Sequence, residues 1–193
     1  MPVIPDTPTG SRYPVVRRAA IGETFIGAYI KHEQRPILKD GQPVINANNG
    51  KPRQELVVHA LVMPGTTATV GNADDNSTPA EGDVVRLILK GKSFSHWIDA
   101  TDALKGVQRA GDIIETTIDQ AQQYDANGAP TGKPLTTQAE CDKVPRGRSL
   151  GYYGPLTVRA ATPAEMPWVT KADEAFATIG NGRTVENDNE EPF

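Results

Sequence analysis

The sequence predicts a mainly β fold, and three observations support this prediction. Five segments are rich in β-branched and aromatic residues, which are typical of strands. Turn sequences rich in glycine and proline separate them, in a chain with 18 glycines and 16 prolines among 193 residues. Helical spacing of apolar residues occurs in two segments, and the first of these lies between the third and fourth strand signals. The expected order is therefore three strands, a helix, two strands and a final helix.

The strand signals are short runs that end at turn residues. The predicted strands are 24–30, 55–63, 83–90, 112–118 and 154–160. Three long polar segments between them are predicted as loops over 39–53, 66–82 and 125–149. The first and last of these loops contain the turn dipeptides Asp40-Gly41 and Asn127-Gly128.

Both predicted helices have a recognisable start. Ser93 is the expected cap of the first helix, and Gly106 is its expected end. Its apolar residues at helical spacing, predicted to share one face, are Phe94, Trp97, Ile98 and Leu104. The second helix is predicted from a capping sequence at 162–165 and runs to about Phe176.

This order of elements is that of the five-stranded oligonucleotide-binding (OB) barrel, in which a helix lies between strands three and four. Other α+β arrangements share the order. The loops at 39–53 and 125–149 fall where the OB barrel has the two loops that flank its binding groove. The sequence thus predicts an OB-fold-like barrel domain over 13–176. A flexible arm at 1–12 is expected before it, and a disordered acidic tail at 177–193 after it.

Composition and charge narrow the class of protein. No apolar run approaches the roughly 20 residues that a membrane helix needs. The N-terminal residues lack the basic and apolar regions of a signal peptide, so a cytoplasmic protein is expected. The net charge is −4, but residues 177–193 hold one base and four acids, which leaves −1 for the preceding residues. A nearly neutral body of this kind can still contain a basic groove.

Enzyme motifs are scarce, and we expect neither a catalytic activity nor a cofactor. The histidines His32, His59 and His96 lack the spacing of paired metal ligands, and His59 is predicted to be a packed or edge residue. The chain contains no nucleophile-elbow or phosphate-loop motif. Cys141, the single cysteine, lies between two acidic residues in a predicted loop and is interpreted as inert.

Signals for binding single-stranded nucleic acid are stronger, because such binding needs cations for phosphates and aromatic faces for bases. The candidate cations are Arg17, Arg18, Lys31, Arg35, Lys51, Arg53, Lys90, Lys92, Arg146 and Arg148. The candidate stacking residues are Tyr29, Tyr152 and Tyr153. Tyr29 is predicted to share a strand face with Lys31, and one of the two adjacent tyrosines is predicted to point outward. Phe25 and Trp97 are assigned to the core. The Arg146–Arg148 cluster is the favoured phosphate contact, because a flexible loop can follow a sugar-phosphate chain.

The last residues form an acidic segment that ends in Pro-Phe. Its candidate partner-binding residues are Asp188, Glu190, Glu191, Pro192 and Phe193. A phenylalanine ring beside its own α-carboxylate suits an apolar pocket bordered by Arg or Lys. This tip resembles the C-terminus of bacterial and phage single-stranded-DNA-binding proteins, which recruit replication and repair enzymes through it.

The resemblance implies several expectations about function. These are binding and protection of single-stranded DNA during phage DNA replication or recombination, recruitment of partner proteins by the tip, a possible homo-oligomer, no cofactor, and the host cell cytoplasm as location. Two alternatives stay open. One is a small β-barrel structural or protein-interaction protein of a phage, and the other is an enzyme of unrecognised type.

Overall fold

The computed structural model describes residues 13–17, 19–46, 49–72, 75–103, 113–126, 129–145 and 147–180. The predicted arm at 1–12 and residues 181–193 of the predicted tail lie outside this part of the chain. The fold is mainly β, with 46% strand and 19% helix, as the sequence predicted.

The strands, in chain order, are β1 (Val16–Arg17), β2 (Thr24–Pro36), β3 (Leu38–Lys39), β4 (Gln42–Pro43), β5 (Gln54–Val62), β6 (Thr69–Asn72), β7 (Asp75–Ser77), β8 (Val84–Leu89), β9 (Ile113–Thr117), β10 (Gln120–Tyr124), β11 (Pro130–Leu135), β12 (Ser149–Tyr153) and β13 (Leu156–Arg159). The helices are α1 (Lys92–Ala103), between β8 and β9, α2 (Gln138–Cys141), between β11 and β12, and α3 (Met166–Gly180), after β13.

The five predicted strands form one antiparallel sheet, the main sheet, in the order β13-β9-β2-β5-β8. All five lie within about two residues of their predicted limits, except that β2 continues to Pro36. The sequence prediction ended this strand at Ile30, because polar and basic residues follow. Those residues stay in the sheet because their backbone pairs with β5 as far as Gln54.

A bulge in β2 decides which side chains share a face. Tyr29 pairs with Ala60, but Lys31 pairs with the adjacent residue His59, so one extra residue is inserted in β2. Ala60 and His59 are successive residues of β5, so their side chains point to opposite faces of the sheet. Their partners Tyr29 and Lys31 therefore also lie on opposite faces. The prediction that they share a face is therefore wrong.

One face of the main sheet, here called the inner face, forms the larger core. It carries Phe25 and Tyr29 of β2 and the inward residues of β5, β8, β9 and β13. Helix α1 covers it with Trp97, and the core assignments of Phe25 and Trp97 are confirmed. Ile98 is 45% exposed, so its predicted place on the buried helix face is wrong. Ser93, the predicted cap, lies inside the helix.

Helix α3 packs on the opposite, outer face of the sheet. Ala172, with Trp168 and Ala175, contacts Ala28 and Leu61. The helix begins at Met166, four residues after the predicted cap at Thr162. Glu165 still accepts a hydrogen bond from the Thr162 amide (2.8 Å), as in a capping box, and it also accepts from both Nη atoms of Arg159 (2.8 and 2.7 Å). The helix also continues to Gly180, so residues 177–180, assigned to the tail by the sequence prediction, are helical.

Strands also occur in all three segments predicted as loops. At the start of the loop predicted over 39–53, β3 and β4 pair with each other. Within 66–82, β6 and β7 form a small sheet with β1. From residue 120 to 153, β11, β10 and β12 form a second small sheet, here called the hairpin sheet, which carries α2. The strands of the hairpin sheet are mainly polar and mostly half-buried, so they lack the apolar runs that mark a core strand. Cys141 lies in α2 and is buried. Burial raises the pKa of its thiol, a hydrogen bond with Tyr152 opposes this, and the charges of Asp142 and Glu140 add to the increase.

The main sheet is open rather than closed. Its edge strands are β13 and β8, and no hydrogen-bonded ladder joins them within the described residues. Helix α1 packs against both edge strands. On the free side of β8, the N-terminal segment runs alongside, where the Arg86 amide donates to the Pro14 carbonyl at 2.9 Å. A five-stranded barrel is therefore not formed by hydrogen bonding in this part of the chain.

Candidate nucleic-acid interface

Helix α3 covers only part of the outer face, and charged side chains occupy the rest. Beyond the bulge, the strand register places Lys31 opposite His59 and His59 opposite Arg86. Near the end of β2, Arg35 lies opposite Glu55. The outer face of β2, β5 and β8 therefore carries a row of cations and two carboxylates, Glu33 and Glu55.

Glu55 joins two of the predicted cations into a triad. Its Oε1 lies 2.8 Å from Nε of Arg35, and its Oε2 lies 2.8 Å from Nζ of Lys90. The Glu55 side chain is 8% exposed, whereas those of Arg35 and Lys90 are 45% and 53% exposed. Burial alone would raise the pKa of Glu55, but hydrogen bonds and charges from Lys90 and Arg35 together lower that pKa below its usual value. The carboxylate is thus ionised at neutral pH and holds both cations at the surface.

A cavity of about 730 Å³, here called the cation cavity, opens beside this triad. Arg35, Arg86 and Lys90 contribute its charged wall. Its other residues include Tyr13 and the apolar segment 36–38. Arg86 donates from Nε to the Tyr13 carbonyl at 2.7 Å, which ties the N-terminal segment to β8. The cavity therefore combines positive charge with one aromatic and several apolar surfaces.

A second cavity of about 490 Å³, here called the tyrosine cavity, lies between β8 and the hairpin sheet. Tyr124, Tyr152, Tyr153 and Arg53 line it. The two cavities share Ile88 and Lys90, so they meet at the end of β8.

Tyr124 and Tyr153 lie on one face of the hairpin sheet. Strand alternation and the pairing of Gln120 with Tyr153 and of Gln122 with Gly151 place them there. The Tyr124 ring rests directly on Gly151: a Cβ at that glycine would lie only 2.9 Å from the ring carbon Cε2. Gly151 thus leaves the space that the ring occupies.

The two adjacent tyrosines lie on opposite faces of the hairpin sheet and both are half-buried, and Tyr153 is the one that shares a face with Tyr124. Tyr152 also lines the tyrosine cavity, but its hydroxyl hydrogen-bonds the side chains of Gln138 and Cys141 in α2. Burial raises the pKa of the Tyr152 and Tyr153 hydroxyls. Both phenols are therefore neutral at physiological pH and present no negative charge to a phosphate.

Tyr29 does not belong to this interface. It is 5% exposed, its ring packs 6.1 Å from that of Trp97, and its hydroxyl lies 2.7 Å from His32 Nδ1. A base cannot stack on a ring whose faces are already covered. The prediction that Tyr29 stacks with bases is therefore wrong. The bulge separates it from Lys31, and its ring packs in the core of the inner face.

The remaining predicted cations are dispersed. Arg17 donates from Nε to the Gly71 carbonyl at 3.2 Å and so connects β1 to β6. Lys51 is exposed in the turn after β4. Arg148 donates to Thr131 Oγ1 at 3.1 Å, on the face of the hairpin sheet opposite Tyr124. Arg18, Arg146 and the side chain of Lys92 lie outside the described part of the structure.

His59 is a packed residue, as predicted. Burial first, and then the charge of Lys31, lowers its pKa to about 4, so the ring is neutral at pH 7. The ring meets Tyr13 edge-on at 5.9 Å. Its Nδ1 has no hydrogen-bond partner among the described residues.

Sequence reasoning missed four residues of the interface: Tyr13, Glu55, Arg86 and Tyr124. Arg86 is the one residue of β8 with a charged side chain, Glu55 is the one acidic residue of β5, and that isolated charge in a mainly apolar strand was the available signal. Tyr124 ends the run Gln120-Ala121-Gln122-Gln123, which shows no apolar alternation, so the sequence carried no strand signal for it.

The described residues hold no cluster of three or more His, Cys, Asp or Glu side chains that suits a metal ion. Among the helices described, none is both long and apolar enough to cross a membrane. No protein-family model, curated protein or solved structure matches this chain.

Proposed function

We propose that this protein binds single-stranded DNA along the uncovered outer face, from the cation cavity to the tyrosine cavity. The observation that carries the proposal is the meeting of the two cavities at Lys90, with cations at the junction and tyrosines on both sides. Cations neutralise backbone phosphates, and tyrosine faces stack with bases of any sequence. Only unpaired bases have faces available for such stacking, which favours single strands over duplex.

The strand order supports an OB-type architecture for this function. A pairing of β8 with β13 would close the main sheet into a five-stranded barrel, and α1 bridges that gap. In the OB barrel, oligonucleotides bind the face of the second and third strands and the loops beside them. The second and third strands of the main sheet are β5 and β8, which carry Glu55, Arg86 and Lys90.

The C-terminal tip supplies the second part of the proposal. Residues 188–193 recruit replication or recombination proteins through Phe193 and the acids before it, while the body coats and protects single-stranded DNA in the host cell cytoplasm of a phage infection. The protein assembles as a homo-oligomer and needs no cofactor. The acidic sequence ending in Pro-Phe supports this part.

The test is a titration of the full chain with fluorescent single-stranded and double-stranded oligonucleotides over a range of salt concentrations. We expect tighter binding to the single strand. If about four phosphates are neutralised, the slope of log affinity against log salt is roughly −3. Equal affinity for the duplex, or no binding at low salt, would show that the interface takes another ligand, such as a protein partner.

A further inference from the structure

The triad of Arg35, Glu55 and Lys90 has a feature that phosphate binding alone does not explain. A site for phosphates gains nothing in charge from a carboxylate at its centre, and yet Glu55 is almost fully buried there. Buried carboxylates are costly unless they are paired and hydrogen-bonded, as this one is on both oxygens. The role of Glu55 therefore lies in its effect on the position of the two cations.

Each cation keeps donors available after bonding Glu55. Arg35 uses Nε, and its two Nη atoms make no hydrogen bond within the described residues. Lys90 carries three N–H donors and directs one at Glu55. Both side chains are about half exposed on the side of the cavities. The remaining donors can reach a group placed at the junction of the cation and tyrosine cavities.

We infer that Glu55 is a positioning residue that holds Arg35 and Lys90 as a two-cation fork for one phosphate group at this junction. The register of the sheet brings the pieces together, since Arg35 lies opposite Glu55 on adjacent strands and Lys90 follows the end of β8. Without the carboxylate, two neighbouring cations repel each other and their long side chains become mobile. Holding them in place in advance removes part of the ordering cost when the phosphate arrives. This inference rests on the proposed function and assigns the phosphate that lies between the two cavities.

Removing the Glu55 charge distinguishes positioning from simple electrostatics, because the two predict opposite signs. If only net charge matters, Glu55→Gln strengthens DNA binding, since a negative charge near phosphates disappears. If Glu55 positions the fork, the same substitution weakens binding. Glu33→Gln is the matched control: Glu33 is an exposed carboxylate on the same outer face, opposite Val57, and it forms no ion pair within the described residues.

The experiment measures the affinity of the full chain for a single-stranded oligonucleotide in the wild type and both variants. We expect about fivefold weaker binding for Glu55→Gln and equal or slightly tighter binding for Glu33→Gln. Equal effects of the two substitutions would overturn the inference. The Arg35→Gln/Lys90→Gln double variant separates positioning from misfolding. Adding Glu55→Gln to it is expected to weaken binding no further, because no fork is left to position. A further loss of affinity would indicate a structural defect and would overturn the inference.

A second probe separates this inference from the proposed function. Inorganic pyrophosphate is titrated into protein with ¹⁵N-labelled arginine, and the Arg35 Nε signal is followed by NMR. We expect this signal to shift in the wild type and in Glu33→Gln. In Glu55→Gln, we expect the same shift to require at least a fivefold higher pyrophosphate concentration. A shift without binding of single-stranded DNA would end the proposed function and leave the phosphate fork standing. An unperturbed Arg35 signal in the wild type would overturn the fork, even if DNA binds elsewhere on the protein.

Discussion

The outer face of the main sheet changes character halfway along β5. At one end, Leu61 and Met63 are buried beneath α3, in contact with the apolar residues of the helix. At the other end, Glu55 and His59 are nearly as buried, but they are polar. The difference lies in what covers them. A helix covers the first half permanently, whereas charged side chains and the N-terminal segment border the second, which opens into two cavities.

The two halves of the outer face are stabilised in different ways. The apolar half is stabilised by loss of water from nonpolar area, which requires no specific partner. The polar half requires each group to be satisfied or neutral: Glu55 is paired with two cations, and His59 has a lowered pKa that keeps it uncharged. The first half holds the fold together, and the second half is expected to bind.

The largest expected effect separates folding from binding. Trp97→Ala removes a buried indole from the inner face and is expected to lower the free energy of unfolding by about 3–5 kcal/mol. Arg35→Ala, on the half-exposed outer face, is expected to change it far less. Urea unfolding of both variants followed by circular dichroism measures this. A similar loss in both would mean that the charged half carries the fold as much as the core does.

The next effect concerns stacking in the tyrosine cavity. Tyr124→Ala and Tyr153→Ala are each expected to weaken single-strand binding by roughly 1–3 kcal/mol, because each removes a face on which a base stacks. The salt slope stays unchanged, since stacking releases no counterions. Tyr124→Phe and Tyr153→Phe are the controls and leave affinity intact, because each keeps the ring face on which a base stacks. Loss of affinity in the controls would show that the hydroxyls, and not the ring faces, contact the DNA.

The polar half also predicts a pH dependence of stability. Burial lowers the pKa of His59 to about 4, so between pH 6.5 and 4 the unfolded chain binds a proton that the folded chain does not. Stability therefore falls as pH decreases through this window, by about 2 kcal/mol between pH 7 and 5. His59→Leu removes this contribution, and urea unfolding at both pH values measures the difference. Identical pH dependence in the two proteins would show that His59 is accessible to protons in the folded state.

The smallest effect concerns the acidic tip, which is expected to compete with DNA for the same cations. Deleting 186–193 is expected to strengthen DNA binding slightly, most clearly at low salt where charges are least screened. Phe193→Ala keeps the four carboxylates and is expected to leave DNA affinity unchanged while abolishing partner capture. Pull-down from infected-cell lysate beside a DNA titration tests both. Retention of the same partners by the truncated protein would refute a role for the tip.

The sequence was sufficient for the main sheet and its core, and insufficient for the surface around it. Runs of β-branched residues located the five strands, because apolar periodicity reports burial. The bulge after Tyr29 leaves no such trace, although it decides that Lys31, and not Tyr29, faces outward. The hairpin sheet escaped detection because its strands mix polar residues with isolated apolar ones and contain no apolar run. The triad also left no local signal, since it joins residues 35, 55 and 90 through strand register rather than through neighbouring positions in the sequence.

The most direct test of the outer face as the DNA-binding surface neutralises the triad without leaving a buried charge. Arg35→Gln, Glu55→Gln and Lys90→Gln are combined, which lowers the net charge by one. Lys51→Gln, which changes the net charge by the same amount at an exposed turn, is the control. The salt dependence of single-strand affinity is then measured for both. We predict that the triple variant loses affinity and that its salt slope flattens by about one unit, while the control keeps the wild-type slope. Equal slopes and affinities in the two variants would contradict the account.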